Sequence, residues 1–146
     1  MLKKLLSILA LSLTCNAFAG TAAAQNWSPE QQEVWALEQQ QWKMAAAKDT
    51  SWIDTMVHPN MRFWETDDPM PRDKASLKHW SRYDNENSTM LQHELFPISV
   101  TVTGNVAVRW GDAHVDNYLL QGGSYVHELP GIFDTLVKNP DGTFVV

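Results

Sequence analysis

Glu38 sits where a carboxylate is least expected. With successive helical residues about 100° apart, Val34, Trp35, Gln41, Trp42 and Ala45 form one stripe, and Glu38 falls in its middle. A carboxylate facing an apolar space has its pKa raised and can move a proton near neutral pH. The same position also suits a structural carboxylate that accepts a hydrogen bond from an indole one turn away, Trp35 or Trp42. A second constellation is Asp112-Ala113-His114-Val115-Asp116. At the two-residue period of a strand, its polar side chains share one face with Val106, Val108 and Trp110, an acid–imidazole–acid row suited to general acid/base work. The competing reading is a solvated strand end. His127, on the following strand, comes across from the His114 region if the Gly122-Gly123 turn is tight. In a catalytic reading Glu38 or Asp112 is the base and His114 or His127 the acid. Trp42, Trp64, Trp80, Trp110 and Tyr125 would wall a ligand pocket, against the plainer reading of tryptophans as core. Helical and strand ligands need not converge on a point, so no metal is assigned, and no motif calls for a cofactor. His58, before Pro59 at a helix end, reads as structural, and His79 and His93 as surface residues.

The elements that must position these residues can be read in order. Ser28-Pro29-Glu30-Gln31 opens a helix, with Ser as N-cap, Pro in the first turn and Gln closing a capping box. That helix should fade near Ala47-Lys48-Asp49. Asp49 or Thr50 then caps a short helix carrying Trp52, Ile53, Met56 and Val57, stopped by Pro59. Met61 to Glu65 reads as a strand, and Asp67 to Arg72 as a rigid polar loop. Asp73 caps a third helix to about Tyr83, with Leu77, Trp80 and Tyr83 on its buried side. From Thr89 the signals turn to β. Phe96, Ile98, Val100 and Val102 alternate with polar residues, Gly104-Asn105 makes a turn, and Val106 to Leu120 forms a second long strand. Gly122-Gly123 turns into Ser124 to Lys138, broken near Pro130-Gly131, and Asn139 to Gly142 leads to a last short strand at Thr143 to Val146. This order predicts an α+β fold: three N-terminal helices against a curved antiparallel sheet, a cone whose open end is a ligand pocket.

Composition narrows the function classes. The 146 residues, 44% apolar and 19% charged, suffice for one domain with one core. The formal charge of −6 and the absence of any basic run beyond Lys3-Lys4 argue against nucleic acid as a partner. Lys3-Lys4, the apolar run from Leu5 to Leu13, and the small-residue sites Ala17-Phe18-Ala19 and Ala22-Ala23-Ala24 have the order of a signal peptide. Residues 1–24 are therefore expected to be cleaved and residues 25–146 to form the domain, periplasmic or secreted. The apolar run falls short of the roughly 20 residues a bilayer requires, so no membrane association is expected after cleavage. Cys15, the sole cysteine, lies within the leader, which leaves the domain without thiol chemistry or cysteine-ligated zinc.

In this order of elements the sequence resembles the nuclear transport factor 2-like superfamily, and within it the SnoaL-like proteins. The likeness rests on Glu38 and Trp42 through Asp49, on His58-Pro59-Asn60-Met61-Arg62-Phe63-Trp64, and on Gly104-Asn105-Val106-Ala107-Val108. It extends to Phe133-Asp134-Thr135-Leu136-Val137-Lys138 with Asp141-Gly142-Thr143-Phe144. Proteins of this kind usually carry a tryptophan where this chain has Phe144 and continue the last strand beyond the position of Val146. The resemblance implies a cone-shaped pocket, homodimers paired through the sheet, and either ligand binding without chemistry or acid/base catalysis on a small apolar substrate. A His114–His127 pair lining the cone would resemble the dehydratase members. The Arg/Asp strand pattern of the epoxide hydrolase members is not evident, since Arg82-Tyr83-Asp84 has the spacing but falls at a helix end.

Overall fold

The computed structural model describes residues 26–64 and 68–146. The expected leader, Glu65 and Asp67 lie outside the described residues. Helix α1 (Pro29–Ala46) starts as the sequence predicts. The Ser28 hydroxyl accepts from the Gln31 N–H, and the Gln31 side chain accepts in return from the Ser28 N–H at 2.8 Å. Helix α2 (Ser51–Met56) has Thr50 at its N-cap without a side-chain bond. Asp49 does that work instead, accepting from the Ser51 N–H. Strands β1 (Arg62–Phe63) and β2 (Arg72–Asp73) form a small ribbon, shorter than the strand expected from Met61. Helix α3 (Lys74–Asn87) is capped by Asp73 and outruns Tyr83 by a full turn. None of its residues is fully buried, and Trp80 and Tyr83 are exposed, contrary to the expected packed side.

The rest is one curled antiparallel sheet: β3 (Ser88–Thr103), β4 (Val106–Leu119), β5 (Ser124–Glu128), β6 (Gly131–Lys138) and β7 (Phe144–Val145). β3 and β4 form a long hairpin, and β5 and β6 are one interrupted strand along the other edge of β4. Two features set the faces. In β4 the odd-numbered residues Ala107, Arg109, Gly111, Ala113 and Val115 are buried, while Trp110, Asp112 and His114 are exposed. The inner row is small because α1 lies on it: a Cβ at Gly111 would come within 3.0 Å of the Trp35 ring and 2.8 Å of the Phe96 carbonyl oxygen. In β3 the register slips between Pro97 and Ser99, where Ile98 is the inserted residue. A bulge reverses which residues face inward. Phe96 and Ile98 are thus exposed while Val100 is buried, although the uninterrupted alternation put them together.

The main core joins Val34 and Trp35 of α1 to Val100, Ala107, Ala113, Val115, Ile132, Leu136 and Phe144 of the sheet. A smaller cluster of Trp52, Ile53, Met56 and Val57 anchors α2. The result is the predicted α+β cone, helices on the concave side of a bent sheet. Among the described residues no helix is long and apolar enough to cross a membrane.

Candidate functional site

The inner face carries an arginine that alternation alone does not single out. Arg109 is completely buried, and its guanidinium pairs with the carboxylates of Glu38 on α1 and Asp134 on β6. Nε and Nη2 donate to Asp134 Oδ2 at 3.0 and 2.9 Å, Nη1 donates to the Val34 carbonyl, and Nη2 reaches Gln41 Oε1. Asp134 stands directly opposite Arg109 in the β4–β6 ladder, so the sheet register itself fixes this pair. Trp42 Nε1 donates to Glu38 Oε1 at 2.6 Å. The indole partner is therefore the one a turn later on the helix, while Trp35 packs on Gly111.

Burial pushes the Glu38 carboxyl above its ordinary range. The Arg109 charge opposes that rise, the Asp134 carboxylate adds to it, and the Trp42 hydrogen bond opposes it further. Glu38 and Asp134 border a cavity of about 640 Å³ between α1, residues 57–64 and β6. Trp42, Trp52, Phe63 and Trp64 supply aromatic wall, and His58 lies at its margin. His58 Nδ1 accepts from the Asn60 N–H, which places the proton of a neutral ring on Nε2. The His58 backbone N–H donates to the Val146 carbonyl. Asp134 keeps Oδ1 outside its pair with Arg109, and its side chain is 30% exposed.

The other predicted residues are brought together elsewhere. Asp112, His114 and Asp116 do share one face of β4, but it is the face turned away from the helices. His127 comes opposite Asp116 in the ladder and contacts Asp116 Oδ1 through Nδ1 at 2.6 Å, with the His114 ring 6.0 Å away. That bond, with a second from Gln92, holds the Asp116 carboxyl below its ordinary range. The cluster is separated from Glu38 by the sheet, because the inner set of β4 is the odd-numbered one. Of the five aromatic residues expected to wall a pocket, Trp42 and Trp64 line this cavity. Trp80 lies in a different groove under the Arg72 guanidinium, and Trp110 and Tyr125 are on the outer face. His93 is half-buried against Trp42, not on the open surface. Among the described residues no group of His, Cys, Asp and Glu is placed to hold a metal ion. Arg82 and Asp84 fall inside α3; the Arg–Asp pair on strands is Arg109–Asp134. The signal for it was Arg109 alone among small residues at alternate positions, Ala107, Gly111 and Ala113.

A bent antiparallel sheet closed by N-terminal helices over a polar-floored cavity is the nuclear transport factor 2-like fold, and solved structures agree. A ketosteroid isomerase-like protein from Erwinia carotovora atroseptica is similar at a TM-score of 0.72 and 11% identity, over 82% of this chain and 92% of that one. A nuclear transport factor 2-like superfamily protein from Salmonella enterica is similar at 0.65 and 15%, over 79% and 84%. A Catenulispora acidiphila protein, solved in complex with S-DNPA, is similar at 0.62 and 15%, over 78% and 85%. No family model and no curated protein matches the chain.

Proposed function

We propose that the protein is an exported SnoaL-like domain that binds a small, largely apolar molecule in the cavity between α1 and β6. The observation that carries this reading is an aromatic-walled cavity of about 640 Å³ with Asp134 on its border, one carboxylate oxygen left over from the Arg109 pair. That volume is within the roughly 300–1,000 Å³ of ordinary ligand sites. The Arg109 guanidinium is engaged by Glu38, Asp134, Gln41 and the Val34 carbonyl. A ligand therefore meets an acceptor and brings a donor, such as a hydroxyl or amine. The S-DNPA complex of a protein with this fold supports occupancy by a small molecule. The test is a thermal melt against a panel of small apolar alcohols, amines, acids, ketones and epoxides. A binder at 100 times its dissociation constant adds about 2.7 kcal/mol, and Asp134→Asn should abolish the shift. A cooperative melt that no compound moves would count against the reading.

A second reading, acid/base catalysis in the same cavity, is favoured by the raised carboxyl of Glu38 beside the carboxylate of Asp134. Glu38→Gln would then abolish turnover of a panel compound while leaving its binding intact. Two copies paired through the outer sheet face complete the proposal, since Trp110 and Phe133 stack there edge to face, 51% and 69% exposed. Light scattering should find a dimer that Trp110→Glu converts to a monomer. Export rests on the order of residues 1–24 and predicts a mature N-terminus at Gly20 or Gln25. Recovery outside the cytoplasm with Met1 retained would contradict it.

A further inference from the structure

The charges around the cavity do not balance at its border. Glu38 and Asp134 stand there, whereas Arg109, which pairs with both, is fully buried and does not reach the border. Two carboxylates therefore share one guanidinium, and the Asp134 charge is one of the causes that hold the Glu38 carboxyl up. Arg109 gives Nε and Nη2 to Asp134 Oδ2, which leaves Oδ1 without a bond among the described residues. The place of Asp134 opposite Arg109 in the β4–β6 ladder fixes where that oxygen stands. The aromatic wall comes from Trp42 on α1, Trp52 on α2, Phe63 on β1 and Trp64 just after it. Trp42 gives its indole N–H to Glu38 Oε1 at 2.6 Å, and Trp64 gives its own to the Asp68 carbonyl at 2.9 Å. With those donors engaged, both rings meet a ligand with π surface. Arg62, the guanidinium on the border, is exposed and folds Nη1 back onto the Met61 carbonyl, so solvent screens it.

We propose that the cavity selects an organic ammonium ion: a protonated amine with a small apolar body, its N–H on Asp134 Oδ1 and its charge against the indole rings. The inference rests on the ligand-binding reading of the cavity and names the ligand class. A hydroxyl would reach the same oxygen, but the surroundings favour the cation. A charged donor bonds a carboxylate about twice as strongly as a neutral one. The ring faces add an attraction for positive charge. The excess carboxylate supplies the counter-charge that a cation needs once water is displaced. A hard metal ion fits poorly, because it takes several oxygen ligands and the free carboxylate oxygen here stands among rings. Anionic compounds meet Glu38 and Asp134 as like charges.

The probes are 2-phenylethylamine, protonated at neutral pH, and 2-phenylethanol, of nearly equal size, each titrated into the protein by calorimetry. The amine should bind about tenfold tighter or more. Trp64→Leu keeps apolar surface at a position that is 67% exposed and removes a π face. It should narrow the gap by weakening the amine and leaving the alcohol near its wild-type affinity. Asp134→Asn should abolish binding of the amine. Equal affinity for the two probes, or tighter binding of the alcohol, overturns the proposal and leaves the cavity reading standing. An amine bound as tightly by Asp134→Asn as by the wild type sits elsewhere on this acidic chain, which also overturns it. If Asp134→Asn loses its cooperative melt, Trp64→Leu decides in its place, and an unchanged gap between the probes overturns the proposal. Panel acids, ketones or epoxides that bind where the amine does not overturn the ammonium class alone; no binding of any kind overturns both.

Discussion

The two faces of β4 differ in how they treat charge. Arg109 on the inner face is buried and matched by Glu38 and Asp134, with Trp42 and Gln41 completing the network. Asp112 and His114 on the outer face are exposed, and Asp116 and His127 contact one another where water reaches both. In the interior a charge must be paired and hydrogen-bonded, so each member depends on the others. On the surface the solvent does that work, and a pair contributes little. The outer row looks more like a catalytic motif in sequence, yet it is Glu38 and Asp134, the partners of the inner Arg109, that border the cavity.

This contrast is broken most severely at Arg109. Replacing it by Met strands the Glu38 carboxyl inside the protein, and a buried pair broken on one side typically costs about 3–5 kcal/mol. Urea denaturation should show that loss, and adding Glu38→Gln should recover part of it. A loss under 1 kcal/mol would mean that the network does not hold the helix to the sheet. Next comes Gly111→Ala. Its Cβ would press on the Phe96 carbonyl at 2.8 Å and on the Trp35 ring at 3.0 Å. Overpacking of this kind costs about 1–3 kcal/mol and should appear in the same denaturation experiment.

A smaller effect is the pH dependence attached to Glu38. Its folded carboxyl lies above the ordinary 4.5, so the folded chain holds that proton more tightly than the unfolded one. The resulting stability is fully present below about 4.5 and is lost as pH rises through the folded value. Glu38→Gln has no such proton, so the stability advantage of the wild type should shrink as pH rises through that window. An advantage that grows with pH would reverse the sign of the account. Smallest of all, Asp112→Asn and His114→Gln should stay within about 0.5 kcal/mol of wild type, as surface substitutions usually do.

How much of this was legible depended on whether the signal was local. The start of α1 was, because Ser28, Pro29 and Gln31 act within one turn. So was the interruption at Pro130-Gly131, which separates β5 from β6. The facing of β4 was not: alternation divides its residues into two sets without saying which is inside. Val106, Val108 and Trp110 make the more apolar set and drew the outer row inward by analogy. The helix chose the other set, since Trp35 needs Gly111 beneath it. The slip at Ile98 was hidden for the same reason, because a bulge is defined by its partner strand. The Glu38–Trp42 bond was readable from a four-residue helical spacing, whereas Arg109–Asp134 depends on pairing between strands twenty-five residues apart in sequence.

The tryptophans allow the contrast between faces to be tested in one spectrum. Trp42, Trp52 and Trp64 line the cavity and Trp110 lies on the outer face, so each indole N–H reports its own region. We would record the indole N–H resonances of the 15N-labelled protein while adding the panel compound that raises its melting temperature most. The account predicts that the Trp42, Trp52 and Trp64 signals move and that of Trp110 does not. Movement of Trp110 with the cavity indoles unchanged would contradict it and place the ligand on the outer row.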